Sequence, residues 1–366
     1  FAAFAPTAFA DDCVKGQPRK AKGSMTEGTY RTLDQVNKLI VENKNEDALA
    51  TLSEMAGKDG YNGYEKALIL QTMAYVYGGQ NKYDKAIEVF EKVLAMDVLP
   101  QPAWENMLYN TGQLYMANGK TDKAIKTLES YMCQAQGTIS ADARVALASA
   151  YAEKQRFRDA VNQLDKALET AKTVKESWLQ FKLGLHFELK EYPKCAEVLL
   201  MLISIAPAKE DYWKQLSSIL FELKNDSDSM AVLALADRQG FINEEKEYKN
   251  LANVYLLMEI PYKAGSVLQR GFDAKAVKED EKTLTMLADS WYLAREYKRC
   301  EAALVRLAKA TNKGDVYLRL GSLAVEDEQW KNAVDYLGKA KAMGSAKTGQ
   351  IAFLSGIAQF NLKDVE

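Results

Sequence analysis

Apolar residues recur three and four positions apart in short blocks along the chain, the spacing of one helical face. The block KYDKAIEVFEKVLAMD, from Lys82 to Asp97, is the clearest, and similar starts recur as TDKAIKTL, FRDAVNQL and WKNAVDYL. Small residues hold fixed places among these blocks. One column, set in the first block of each unit, reads Ala74, Gly112, Ala148, Gly184, Ser217, Ala252, Ala288, Gly321 and Gly356, at steps of 33 to 38 residues. Three residues after each stand Tyr77, Tyr115, Tyr151, Phe187, Leu220, Tyr255, Trp291, Ala324 and Gln359, six of them aromatic. A second small column, in the following block, reads Ala48, Ala86, Ala124, Ala160, Cys195, Ser229, Ala264, Cys300 and Ala333. The echo between EYPKCAEVL (from Glu191) and EYKRCEAAL (from Glu296) belongs to this period, because Cys195 and Cys300 hold one repeat position three units apart.

Such a period resembles the tetratricopeptide repeat, a unit of two antiparallel helices of about 34 residues. The resemblance implies an all-α fold, a right-handed superhelical solenoid of tandem helix-turn-helix repeats with one continuous core, each unit stabilised by its neighbours. Residues 29–366 read as nine full repeats plus the first helix of a tenth, so the chain looks truncated. The first unit carries Val36 where the others have a small residue, as a capping unit would. Longer loops are expected at GKDGYNGYEK (Gly57 to Lys66) and QAQGTISAD (Gln134 to Asp142), which are rich in turn residues.

The N-terminus adds a second kind of information. The chain opens FAAFAPTAFADD, and Ala8-Phe9-Ala10 before Asp11 has the A-x-A form of a signal-peptidase site. Residues 1–10 therefore read as a signal-peptide remnant, residues 11–28 as a flexible basic arm, and the protein as exported to the periplasm of a Gram-negative bacterium. An exported chain meets an oxidising compartment, which raises the question of its four cysteines. Cys195 and Cys300 are too far apart on a stiff solenoid to bond and replace small core residues. Cys13 and Cys133 are the one pair with freedom to close, either as a disulfide or as two unbonded thiols.

Composition removes several functions. Forty-eight basic against fifty acidic residues leave a net charge of −2, with no excess to attract nucleic acid or anionic lipid. No segment is long and apolar enough to span a membrane. The single histidine, His186, reads as a packed helix residue beside Phe187. There is no Cys-x-x-Cys, no phosphate-binding glycine loop and no metal-site motif. No catalytic residue, metal or cofactor is expected, and the chain reads as a non-enzyme.

Binding is then the expected work. On the concave face of a solenoid, the first helices would present Tyr75, Asn110, Gln113, Trp178, Phe181, Lys214, Lys249, Asn250, Asn253, Tyr292 and Arg319 to a protein or peptide. Lys249, Asn253 and Arg319 match parts of a clamp for a C-terminal carboxylate. Met286 and Asp315 stand where that clamp needs Asn and Lys, so no such clamp is expected. The strings DYWKQL, ADRQGF, NLANVYL, EIPYKA and LAREY, between Asp211 and Tyr297, resemble a family of periplasmic repeat proteins encoded beside TonB–ExbB–ExbD energy-transducing systems. That resemblance implies an accessory to TonB-dependent uptake, with TonB, ExbB or ExbD components or an outer-membrane receptor as partner. The alternatives are a scaffold for envelope assembly, secretion or polysaccharide export, or the repeat portion of a larger enzyme-regulatory protein.

Overall fold

The computed structural model describes Cys13 and residues 15–362. The A-x-A motif and the apolar residues before it lie outside the described residues. Among the described residues there are nineteen helices and no strand. The first helices of successive pairs are α1 (Glu27–Val41), α3 (Gly63–Gly79), α5 (Gln101–Ala117), α7 (Ala141–Glu153), α9 (Glu176–Glu188), α11 (Glu210–Glu222), α13 (Glu245–Leu257), α15 (Glu281–Leu293) and α17 (Gly314–Glu326). Their second helices are α2 (Asn45–Gly57), α4 (Tyr83–Met96), α6 (Thr121–Gln134), α8 (Phe157–Thr170), α10 (Tyr192–Ile205), α12 (Asp226–Arg238), α14 (Pro261–Asp273), α16 (Tyr297–Thr311) and α18 (Trp330–Ala342), and α19 (Thr348–Leu362) follows. The chain divides into two compact units, one through Lys194 and one from Cys195. Both loops expected to be long lose their ends to helices, leaving 58–62 and 135–140.

The turn inside each pair is the same device nine times. A left-handed residue ends the first helix: Asn43, Asn81, Gly119, Gln155, Lys190, Lys224, Glu259, Arg295 and Glu328. The next residue's N–H then donates back five positions, as from Lys82 to the Tyr77 carbonyl at 2.9 Å and from Lys120 to the Tyr115 carbonyl at 2.8 Å. This closure satisfies carbonyls that a helix end would otherwise leave bare. Only one of the nine is glycine, so the others accept a left-handed cost of about 1–2 kcal/mol each in return for hydrogen bonds and helix packing.

The closure also measures register, and it corrects the fourth pair. There the back-bond runs from Glu191 to the His186 carbonyl. His186, and not Phe187, therefore holds the aromatic column, and Leu183, not Gly184, holds the column before it. Burial agrees: Leu183 and His186 are buried, whereas Gly184 and Phe187 are exposed.

Between the helices of a pair, small residues admit leucines. A Cβ added at Gly112 would lie 2.7 Å from Leu128, and one at Gly321 would lie 2.5 Å from Leu337. Basic side chains cover several rings of the aromatic column, Lys123 over Tyr115 at 5.4 Å and Arg299 over Trp291 at 4.8 Å among them.

The arm expected to be flexible is instead tied down within the first unit. Cys13 is bonded to Cys133, with Cα atoms 5.6 Å apart. Gly16 accepts from Gln136 at 3.0 Å. Arg19 exchanges bonds with Gln101, pairs with Asp97 and lies 4.2 Å from the Trp104 ring. Lys22 donates its backbone N–H to Val98 at 3.0 Å. The strap ends at Glu65, a carboxylate only 2% exposed. Its Oε1 accepts from the Thr29 hydroxyl at 2.6 Å and the Thr26 hydroxyl at 2.8 Å, and its Oε2 accepts from the Asn62 N–H at 3.0 Å. These bonds, led by Thr29, hold its pKa at about 2, against the opposing effect of burial.

Two outcomes follow for the first unit. The unfolded-state pKa of Glu65 is about 4.3, so its contribution is complete above that pH and is lost as pH falls through 2. Glu65→Ala should cost about 2 kcal/mol at pH 7 and flatten the urea midpoint between pH 4 and 2; an unchanged acid limb would contradict this. Reducing the disulfide, or Cys133→Ala, should cost about 2–4 kcal/mol and speed hydrogen exchange at the Arg19, Lys22 and Gln101 amides. Unaltered exchange at these amides would show that the strap holds without its covalent tie.

Candidate protein-interaction groove

The structure sorts the residues expected to face a partner into three classes. Trp178 is 6% exposed and belongs to the core that includes Leu147, Tyr151 and Leu164, which removes it from the groove; Phe181 packs half-buried against the same cluster. A second class is exposed or half-buried but already engaged. The Tyr75 hydroxyl accepts from Asn110 at 2.8 Å, and its ring meets Phe90 edge-on. Gln113 donates to the Tyr109 hydroxyl at 2.8 Å. Lys249 pairs with Glu245 at 3.2 Å, Arg319 with Asp289, and the Tyr292 hydroxyl with Glu326 at 3.1 Å. Burial opposes the charge of Lys214, but Glu247 and Glu210 outweigh it and raise its pKa above the ordinary value.

Only Asn250 and Asn253 form the third class. Both are exposed on α13, and neither carboxamide bonds to another described residue. They stand one helical turn apart, so they share a face.

These two residues border the one pair that departs from the repeat pattern. In every second helix the small residue is followed four positions later by a large apolar one. Leu52, Phe90, Leu128, Leu164, Leu199, Leu268, Leu304 and Leu337 are at most 2% exposed. Leu233 of α12 is the exception and is only partly buried. The same pair is also alone in having serine in both small columns. Ser217 and Ser229 are buried, their hydroxyls are 2.9 Å apart, and Ser229 Oγ donates to the Ser217 carbonyl at 2.9 Å. Above them opens a cleft of about 480 Å³, lined by Ser217, Ser218 and Phe221 of α11, Ser229 and Leu233 of α12, and Asn250, Asn253, Val254 and Leu257 of α13. None of the nine lining residues is charged. A cleft further along, of about 170 Å³, is lined by Asp315, Arg319, Glu326 and Lys347 among others.

The sequence singled out Asn250 and Asn253 among the cleft's lining residues, but not Phe221, Leu233, Val254 or Leu257. The available signal was the coincidence of Ser217 and Ser229 in one unit. His186 takes a packing place rather than a chemical one. Its Nδ1 lies 2.9 Å from Glu191, which also pairs with Arg158 at 2.9 Å. The His186 hydrogen bond, with the Arg158 charge behind it, holds the Glu191 carboxyl below its ordinary value although burial opposes it. Cys195 and Cys300 are buried, and burial pushes the Cys300 thiol up to about 11, far from nucleophilic at neutral pH.

Family models of the tetratricopeptide repeat match residues 72–137 and 115–180. The chain carries tetratricopeptide repeats. It is similar to a tetratricopeptide repeat protein from Parabacteroides merdae at 14% identity, over 91% of this chain and 100% of that one, with a TM-score of 0.44. It is also similar to the C-terminal part of a TPR repeat-containing protein from Cytophaga hutchinsonii, at 15% identity over 76% and 95% of the two chains, TM-score 0.44. MamA from Desulfovibrio magneticus, from residue 41 on, aligns at 19% identity over 51% of this chain and 99% of that one, TM-score 0.43. No curated protein matches the sequence.

The serine pair offers a direct test of how the departing repeat is built. Each hydroxyl keeps a backbone acceptor when its partner is lost, so Ser217→Ala and Ser229→Ala should each cost about 1 kcal/mol. The double variant should cost less than the sum, with a coupling energy of about 0.5 kcal/mol or more by urea denaturation. Strict additivity would show that the hydroxyl–hydroxyl bond contributes nothing.

Proposed function

We propose that the chain is a non-catalytic scaffold that holds a protein partner along its first helices, as a periplasmic accessory to a TonB-dependent, energy-transducing uptake system. The observation that carries the scaffold reading is the tandem array of repeats whose first helices keep polar and aromatic side chains at the surface, with Asn250 and Asn253 unspent. The Cys13–Cys133 bond supports an oxidising compartment, in line with the A-x-A motif at Ala8 to Ala10. Among the described residues, no helix is long and apolar enough to cross a membrane. The uptake role is supported by the strings between Asp211 and Tyr297.

In-cell photocrosslinking tests each level separately. Probes at Asn110 and Asn253 should recover TonB, ExbD or a TonB-dependent receptor, identified by mass spectrometry. Recovery of a secretion or polysaccharide-export component would sink the uptake role and leave the scaffold standing. Crosslinks from a probe at Lys85 on α4, with none from the first helices, would place binding on the wrong surface.

A further inference from the structure

The cleft over Leu233 marks where one repeat gives up the full apolar burial that its eight counterparts keep. We propose that this cleft is a specific subsite for one or two large apolar side chains of an extended peptide segment, whose main-chain amides are held by Asn250 and Asn253. The proposal rests on the scaffold reading and adds the chemistry of what is held.

Four observations select this occupant. A volume of about 480 Å³ lies in the range of ligand-binding clefts and exceeds the needs of a single side chain. The floor is satisfied: Ser217 and Ser229 use their hydroxyls on each other, so an apolar group entering above them strands no buried donor. The walls are apolar and open, with Phe221 45% and Leu257 56% exposed. At the rim, two carboxamides stand in a row along α13, and each offers both a donor and an acceptor, the complement of a peptide amide.

The same lining argues against the competing ligands. A fatty acid or phospholipid would bring an anionic head, and no cationic side chain lines the cleft to receive it. A charged peptide side chain would lose its hydration with no counter-charge among the lining residues. Of the neighbouring lysines, Lys214 and Lys249 are committed to Glu247 and Glu245, and Lys224 lies 6.0 Å from the Phe221 ring without entering the lining.

The test uses the whole chain and three probes. One is a capped, fluorescein-labelled decapeptide of glycine and serine with a central Phe-Leu pair. The second has Asp-Ser in its place, and the third is laurate as competitor. The Phe-Leu peptide should bind by fluorescence anisotropy, and the Asp-Ser peptide should bind at least tenfold more weakly. Leu257→Arg, an exposed change on the rim, and the double variant Asn250→Ala with Asn253→Ala should each weaken Phe-Leu binding at least tenfold while leaving the helical circular dichroism unchanged. No binding of the Phe-Leu peptide, or equal binding to these variants, overturns the proposal. Stoichiometric displacement by laurate at concentrations below those of the peptide overturns it in favour of an amphiphile. Partner crosslinks from Asn110 in the unaltered chain, alongside no binding of the Phe-Leu peptide to that same chain, would refute this subsite and leave the scaffold reading intact.

Discussion

The close approach of two helices across a small residue is the contact from which the rest of this structure follows. Where Gly112 or Gly321 has no Cβ, Leu128 or Leu337 fills the space. Full burial of such a leucine is worth about 2 kcal/mol, and a small residue stands in the same place in most of the other pairs. It fixes helix separation, which fixes where the aromatic column falls, and the left-handed turn between the helices keeps both in register. The repeat with Ser217 and Ser229 obeys the same geometry but replaces part of the dispersion contact with a hydroxyl pair. The leucine there is left partly uncovered, and a cleft opens at the surface.

Much of the fold was legible because it is written many times. Ala124 and Leu128 alone would say little; nine small residues each followed four positions later by a large apolar one leave few alternatives. The fourth repeat shows the limit of column reading. The string LGLHFEL offers a glycine and a phenylalanine one residue away from the true places, and composition favours the wrong frame. What decides is a main-chain hydrogen bond, from Glu191 to the His186 carbonyl, and it agrees with the nine-residue spacing to the second small column that Tyr151–Ala160 and Tyr255–Ala264 keep and His186–Cys195 shares. Histidine in an aromatic column is acceptable because its ring fills similar space and Glu191 takes its Nδ1.

The groove and the strap were less legible for related reasons. Trp178 reads as a surface anchor from its place on a first helix, yet neighbouring helices cover it. Several polar residues read correctly as exposed, but sequence does not reveal that Tyr75 and Asn110, or Arg319 and Asp289, are already spent on each other. Residues 15–26 look loose by composition. Their order comes from backbone bonds to Val98 and Gln101, for which residue type matters little, and from Asp97, Trp104 and Glu65, which lie far along the chain. The covalent bond that anchors the strap was visible as a candidate pair because each of the other two cysteines stood in a core column.

That bond also changes how the molecule would bear load. The Cys13–Cys133 link closes a ring over a separation of 120 residues. Tension entering the chain ahead of Cys13 passes through the sulfur atoms to Cys133 and onward, bypassing the backbone between them. Helices α1 to α5 and nearly all of α6 therefore sit off the mechanical path and cannot be drawn out one after another. Extension is transmitted instead to the repeats that follow, where no described disulfide shortens the contour.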